Sequence, residues 1–115
     1  MIKINEKEQI LFENREEYLS TTEDAFKNKK FNTAVTLFFK AISAGADLFL
    51  LRKEGIVPSS HSNRFRIAQE KYPELYDMLD KDFPFYQDSY TKKMNKESAE
   101  VLREDAHRIR KMSES

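Results

Sequence analysis

Apolar residues recur at helical spacing through one long segment in the first half of the chain. Between Phe31 and Leu51, apolar side chains return every three or four residues, which is the period of an α-helix. These residues are Phe31, Val35, Phe38, Ile42, Ala46 and Phe49. Further apolar residues widen the stripe until it nearly encircles the helix, which is typical of a helix surrounded by partners. The pattern predicts a central helix over about 31–53.

An amphipathic pattern predicts a first helix over about 6–28, with Asn5 as its cap and Glu8 completing the capping pair. Its expected inward residues are Leu11, Tyr18, Ala25 and Phe26, with Ile10 and Phe12 beside them. Its opposite, charged face is expected to be solvated and comprises Glu13, Arg15, Glu16, Glu17, Asp24 and Lys27. Because the joint over 27–30 is short, the first two helices are expected to be antiparallel neighbours.

Turn residues predict how the central helix ends and the third helix begins. Gly55 is the expected left-handed stop, and Pro58 prevents the helix from resuming. Either Ser59 or Ser60 can cap a third helix. The expected inner stripe of that helix is Phe65, Ala68 and Tyr72.

Two prolines and one asparagine divide the remainder of the chain. Pro73 predicts a break before it, and Pro84 is expected to open another short helix. Asn95 is expected to cap a last helix that ends near residue 112, after which residues 113–115 fray. The expected inward residues of the last helix are Ala99, Leu102, Ala106 and Ile109.

Together these patterns predict an all-α fold, a four- to five-helix up-and-down bundle in one domain over 1–115. Only 2 Gly and 3 Pro are present, which argues against the many tight turns of a sandwich or barrel. The 31–51 run is long enough to span a membrane, but it contains Lys40 and Asp47, so we interpret it as a core helix. No membrane interaction is predicted.

Charge and cysteine content exclude some of the functions that the protein could have. Lys+Arg and Asp+Glu both number 20, so no net field attracts nucleic acid or an acidic membrane. The chain has 0 Cys, which excludes disulfides and a thiol nucleophile and suits a reducing compartment. A cytoplasmic location is therefore expected. The sequence has no Gly-rich phosphate loop, no metal-spaced histidines and no nucleophile elbow, so neither cofactor nor metal is predicted.

Two histidines are the weak candidates for chemistry. His107 shares one helical face with Arg103 and Arg110, a combination that could perform acid–base work on an RNA phosphate. A solvated basic stripe is the simpler interpretation, and we prefer it. His61 stands at a helix start, where a neutral role is expected, and capping or packing is the preferred interpretation.

An aromatic segment and two groups of lysines are candidates for binding. The aromatic residues are Phe83, Phe85, Tyr86 and Tyr90, and they are followed by Lys92 and Lys93. They could stack on bases, but we prefer to interpret the aromatics as core or as a dimer or partner surface. A second lysine group is Lys27, Lys29 and Lys30, and we interpret it as an exposed turn.

Over roughly 8–112 the chain resembles the HEPN domain family of all-helical prokaryotic modules. The segments that carry the resemblance are Ala34–Ala41, Gly55–His61, Tyr86–Tyr90 and Asn95–Ala99. The resemblance implies a bundle that is usually dimeric and often pairs with a small nucleotidyltransferase, as in toxin–antitoxin systems. Many members are metal-independent ribonucleases with an Arg followed, after four to six residues, by a His.

The chain departs from that ribonuclease motif. The segment over 85–90, where the motif is expected, contains neither Arg nor His, and the nearest substitute, Arg103 with His107, lies on the last helix. Our leading hypothesis is therefore a non-catalytic module that homodimerises and binds a partner protein. One alternative is a ribonuclease that uses His107 and Arg103, with or without His61. Another is a tetratricopeptide-like interaction domain built on the segment over 25–42.

Overall fold

The computed structural model describes residues 4–114, with side chains from residue 6 onward. Within that range it contains five helices and no strand. The helices are α1 (Ile4–Lys27), α2 (Phe31–Glu54), α3 (His61–Lys71), α4 (Pro73–Asp88) and α5 (Lys96–Glu114). The predicted all-α helical bundle is confirmed.

The helix α2 lies at the centre and packs against α1, α5 and α4. Every residue from Ala44 to Leu51 is buried, as the nearly encircling apolar pattern predicted. At Gly45 an added Cβ would lie 2.9 Å from Ile109, so glycine permits the close approach of α2 and α5. By length and composition α2 could also cross a membrane, but 72% of its most apolar window is buried inside the bundle.

Contacts at both ends of α1 and α2 show that these helices are antiparallel, as predicted. Near the start of α1, Glu8 accepts a hydrogen bond from Arg52 in the last turn of α2. At the other end, the rings of Phe26 and Phe31 lie 6.0 Å apart. The predicted cap Asn5 falls inside the helical span of α1, and its side chain lies outside the described residues.

The junction between α2 and α3 follows the predicted turn chemistry. Gly55 has a φ of 75° and donates its backbone N–H to the carbonyl of Leu51, which is a left-handed helix stop. Of the two candidate caps, Ser60 accepts a hydrogen bond from the Asn63 N–H. In return, the side chain of Asn63 accepts from the Ser59 N–H at 3.0 Å.

The prolines of α4 behave differently from each other. The predicted break before Pro73 is confirmed, because α3 ends at Lys71 and α4 begins at Pro73. The prediction that Pro84 opens a new helix is wrong, since α4 continues through it to Asp88. Proline removes the hydrogen bond to the carbonyl of Asp80, and because both residues are exposed, water can satisfy that carbonyl.

The last helix begins as predicted and ends later than predicted. The side chain of Asn95 caps α5 by accepting from the Ser98 N–H at 2.8 Å. All four predicted inward residues of α5 are buried. The predicted frayed tail is wrong for Ser113 and Glu114, because both belong to α5 and Ser113 is buried. Ser115 lies outside the described residues.

Arg15 corrects the prediction that the charged face of α1 is solvated. It is only 1% exposed, although its neighbours in sequence are polar. Its guanidinium donates to Ser113 Oγ at 2.7 Å and to the carboxylate of Glu114 at 2.8 Å, and it also bonds Glu16. These partners replace water, so Arg15 ties the end of α5 to α1.

Truncating Phe38 to alanine should be among the most destabilising single changes in the chain. Phe38 is fully buried in the middle of α2, and removing such a ring costs about 3–5 kcal/mol of unfolding free energy. Chemical denaturation of Phe38→Ala measures the loss. The matched control is Ile10→Ala on α1, where the side chain is 54% exposed and the loss should stay within about 0.5 kcal/mol. Equal losses would contradict the central position of α2.

Candidate functional site

His61, the first residue of α3, sits on a buried ion pair that joins α2 to α3. Arg64 donates two hydrogen bonds to the carboxylate of Asp47, at 2.7 Å and 2.9 Å, and both residues are buried. The Nη1 atom of the same guanidinium lies 2.8 Å from His61 Nδ1. The bidentate pair therefore fixes the position of the imidazole.

The contact with Arg64 determines which form of His61 is present. A guanidinium has no acceptor, so Nδ1 must accept the hydrogen bond and Nε2 must carry the proton. Burial, followed by the positive charge of Arg64, lowers the pKa of His61. The exposed side of the ring therefore presents a hydrogen-bond donor, not the lone pair that a general base needs.

Aromatic side chains surround His61 and continue away from it along α4. The ring of His61 lies 5.4 Å from Phe83 and 6.0 Å from Tyr86, and Tyr86 contacts Tyr90 at 5.5 Å. On α3, Phe65 contacts Phe83 at 5.4 Å. We call Phe65, Phe83, Tyr86 and Tyr90 the aromatic row.

A concave surface of about 440 Å³, which we call the α3–α4 groove, opens beside the aromatic row. It is lined by His61, Ser62, Phe65, Arg66, Gln69, Tyr76 and Phe83. Of the four aromatics predicted as a dimer or partner surface, the structure joins Phe83, Tyr86 and Tyr90 in the row. Phe85, which is half-buried against the core as Phe83 and Tyr86 are, makes no ring contact with the row.

The predicted pair Arg103 and His107 lies together on α5 and is bound to a carboxylate of α1. Glu23 accepts from Arg103 Nε at 2.8 Å and lies 2.9 Å from His107 Nε2. Partial burial alone would raise the pKa of Glu23, but the hydrogen bonds from Arg103 and His107 outweigh it and lower the pKa. The third member of the predicted basic face, Arg110, bonds Glu16 instead.

The surroundings of Arg103 are acidic. The hydrogen bond that Arg103 donates to Glu23 is the largest cause of its raised pKa, and the charges of Glu100 and Glu104, which line the same shallow cavity, contribute after it. The guanidinium also lies over the ring of Phe26. Three carboxylates offset the positive charges of Arg103 and of Lys96, which lines the same cavity, so no surplus positive charge attracts a polyanion here and the cluster serves to join α1 to α5. Glu23 was not among the predicted site residues, because no local pattern in the sequence connects it to α5.

Lysines that the sequence analysis treated as separate groups line one cavity. Lys29 and Lys30 come from the joint before α2, and Lys92 and Lys93 come from the loop before α5. Tyr90 lies at the same cavity, which measures about 530 Å³. We call this site the basic cavity. Lys27, the remaining lysine of the predicted basic tip, belongs to the last turn of α1.

A buried pair of carboxyl groups lies between α4 and α5. Asp82 is 0% exposed, and within the described part of the chain no N–H or hydroxyl group donates a hydrogen bond to either of its oxygens. Burial, together with the nearby carboxylate of Asp105, raises the pKa of Asp82 to about 9. Asp105 itself is bound by Lys81 at 2.9 Å. Asp82 is therefore neutral at physiological pH and has no path to a substrate.

Among residues 4–114, no three His, Asp or Glu side chains are grouped so that they could hold a metal ion. No family model, no curated protein and no solved structure matches the chain. The class of protein rests on the structure itself: an all-α helical bundle with an aromatic row beside a neutral His61 and a basic cavity at one end.

Replacing Asp82 with asparagine should stabilise the protein above about pH 5 and flatten its pH dependence. The folded state retains the proton of Asp82 up to about pH 9, whereas the unfolded chain releases it near pH 3.8. Stability contributed by this group therefore falls as pH rises through that window, by up to about 1.4 kcal/mol per unit. Asparagine has no proton to lose, so its advantage should grow with pH.

Urea unfolding at pH 5, 7 and 8.5 measures this difference, with Asp77→Asn as the matched control because Asp77 is exposed on the same helix. Asp77→Asn should leave the pH profile close to that of the wild type. Parallel profiles for the wild type and Asp82→Asn would show that Asp82 is ionised in the folded state.

Proposed function

We propose that this chain is a HEPN-like helical module that acts through homodimerisation and partner binding, not through catalysis. The observation that carries the proposal is the aromatic row with its groove between α3 and α4. Interface cores are enriched in tyrosine, phenylalanine and arginine. Here Phe83, Tyr86 and Tyr90 all reach the surface, and Arg66 lines the groove beside them.

The charges beside the groove suit a second copy of the same chain. Arg66 stands on α3, while Asp80 stands on α4, one helical turn from both Tyr76 and Phe83. Both charged residues are exposed, and neither forms an ion pair with any other described residue. In a two-fold dimer, each Arg66 can pair with the Asp80 of the other copy, which makes the surface self-complementary.

The histidines support binding over catalysis. His61 presents a protonated Nε2 to its surroundings, so it can donate a hydrogen bond across an interface but cannot accept a proton there. His107 is engaged with Glu23, the same carboxylate that binds Arg103. The helices pack around α2 and do not stack as repeated pairs, so we propose no tetratricopeptide-like function.

The partner protein is proposed from the resemblance to HEPN modules, which implies a nucleotidyltransferase of a toxin–antitoxin pair. Co-expression of the tagged chain with a nucleotidyltransferase encoded beside its gene tests this step. A stable complex of defined stoichiometry is expected. A nucleotidyltransferase that elutes separately at micromolar concentration would remove this partner from the proposal.

Charge reversal tests the homodimer. Arg66→Glu and Asp80→Arg should each convert a dimer into a monomer, because each places like charges opposite each other at two symmetric contacts. The double variant Arg66→Glu/Asp80→Arg should restore the dimer, since it exchanges the two charges. Sedimentation equilibrium over a range of concentrations measures the association in every case.

The matched control is Asp24→Arg, which reverses an exposed carboxylate on α1 and should leave the association unchanged. A wild-type chain that stays monomeric at high concentration would refute the homodimer. A dimer that the single variants weaken and the double variant fails to restore would show that Arg66 and Asp80 do not face each other.

A ribonuclease is the second candidate, because one contact favours it. Glu23 accepts a hydrogen bond from His107 Nε2, which is how a carboxylate orients a catalytic imidazole and leaves Nδ1 as the base. Against it stand the acidic surroundings of Arg103. We therefore rank it below the binding module.

A metal-free RNA cleavage assay separates the two functions. It compares the wild type with His107→Ala and His61→Ala on single-stranded and structured RNA, with circular dichroism as the check on folding. We expect no cleavage by the wild type. Cleavage by the wild type that disappears in folded His107→Ala would replace the binding module with the ribonuclease.

A further inference from the structure

The basic cavity collects positive charge from two distant parts of the chain. Lys29 and Lys30 precede α2, and Lys92 and Lys93 follow α4, yet all four line one open cavity of about 530 Å³. All four are exposed, and the cavity lining contains no carboxylate. Like charges held together without counter-charges create a local positive potential, which attracts anions.

Few intramolecular partners neutralise these lysines. Lys92 approaches Asp88 at 3.4 Å, one helical turn earlier, which is a weak and solvated contact. Lys29, Lys30 and Lys93 form no ion pair with any residue between 4 and 114. Three of the four ammonium groups are therefore available to a ligand.

The side-chain amide of Asn32, which is half-buried, holds the two lysine-bearing segments together. Asn32 donates to the carbonyls of Ser89 and Lys92, at 3.0 Å and 2.7 Å, and accepts from the Met94 N–H at 2.9 Å. Asn32 and Lys92 are 60 positions apart in the chain. Three hydrogen bonds from one side chain fix the loop against the start of α2, so the lysines are brought together before any ligand arrives.

The cavity also presents an aromatic face. Tyr90 lines it and is 67% exposed, the largest exposure among the big apolar and aromatic side chains described. Its hydroxyl bonds the hydroxyl of Tyr86 at 2.9 Å, and the two rings meet edge to face. Tyr86 thus anchors the ring of Tyr90 while leaving it open to solvent.

We propose that the basic cavity binds single-stranded nucleic acid, with the lysines contacting phosphates and one base stacking on Tyr90. Lysines that follow a backbone beside an aromatic platform are the usual components of sequence-tolerant single-strand sites. The cavity volume is also in the range of small-ligand sites, which suits one nucleotide unit. An acidic polypeptide would use the lysines but gain nothing specific from the exposed ring. The evidence for this site, the four lysines and the exposed ring, does not depend on the proposed homodimer, although Tyr90 belongs to both surfaces.

Fluorescence anisotropy with a labelled oligouridylate tests the site, and oligothymidylate in a second arm distinguishes RNA from DNA. Lys30→Gln/Lys93→Gln should weaken binding and reduce the slope of log K against log salt by about 0.7 per lysine. Tyr90→Ala should weaken binding about 5- to 150-fold through loss of stacking. Tyr90→Phe keeps the ring and its edge-to-face contact with Tyr86 and loses only the hydroxyl bond, so it should bind much more tightly than Tyr90→Ala.

The matched control is Lys7→Gln/Lys53→Gln, which removes the same charge at the opposite end of α2, about 36 Å away. It should retain wild-type binding. Equal weakening by both lysine pairs would overturn the site, because attraction would then depend only on overall charge. The site would also be overturned if the wild type bound neither oligouridylate nor oligothymidylate at low salt.

Polyglutamate provides the remaining arm. Three results together would show that the cavity is a site for acidic protein: polyglutamate binds, oligonucleotides compete poorly with it, and Tyr90→Ala has no effect on its binding. The proposal would then be wrong. Circular dichroism of each variant confirms the fold; all substituted side chains are exposed, so no loss of helix is expected.

Discussion

The burial of α2 is the constraint on which the rest of the structure depends. A helix that is apolar nearly all round must be covered on every side, and α1, α5 and α4 provide that cover. The proposed functional surfaces depend on the same helix. Asp47 and Phe39 of α2 hold His61 and the aromatic row, while Asn32 at its start organises the basic cavity. A shift of α2 would therefore disturb the core and both sites together.

Three buried ionisable side chains offset the free-energy cost of desolvation in different ways. Arg64 meets the carboxylate of Asp47 with ideal fork geometry, and Arg15 replaces water with partners at the end of α5. Asp82 has no such partner and avoids the penalty by keeping its proton. The two arginines act as links between helices, and they position elements that apolar packing alone would leave free to slide.

Local patterns in the sequence predicted the helices and their ends well. The partners of the charged and polar side chains depend on non-local contacts and could not be predicted in this way. The apolar period predicted α2, and the residue chemistry of Gly55 and Asn95 predicted helix ends, because each depends on a few neighbouring residues. Arg15 looked solvated because two of its partners, Ser113 and Glu114, lie about one hundred positions away on α5. The joining of Glu23 to His107 and of Asn32 to Lys92 is equally invisible to any local pattern.

A net charge of zero describes the whole chain and says little about any one surface. At physiological salt, charges act over about 8 Å, so each site experiences mainly its own lining. His107, the residue that resembled a catalytic group, is bound to the carboxylate of Glu23. The lysines interpreted as an exposed turn instead line a cavity that contains no carboxylate. Tyr90 ends the aromatic row and opens into the basic cavity. A bound strand would therefore lie against the edge of the proposed dimer surface, and the two forms of binding would influence each other through that single ring.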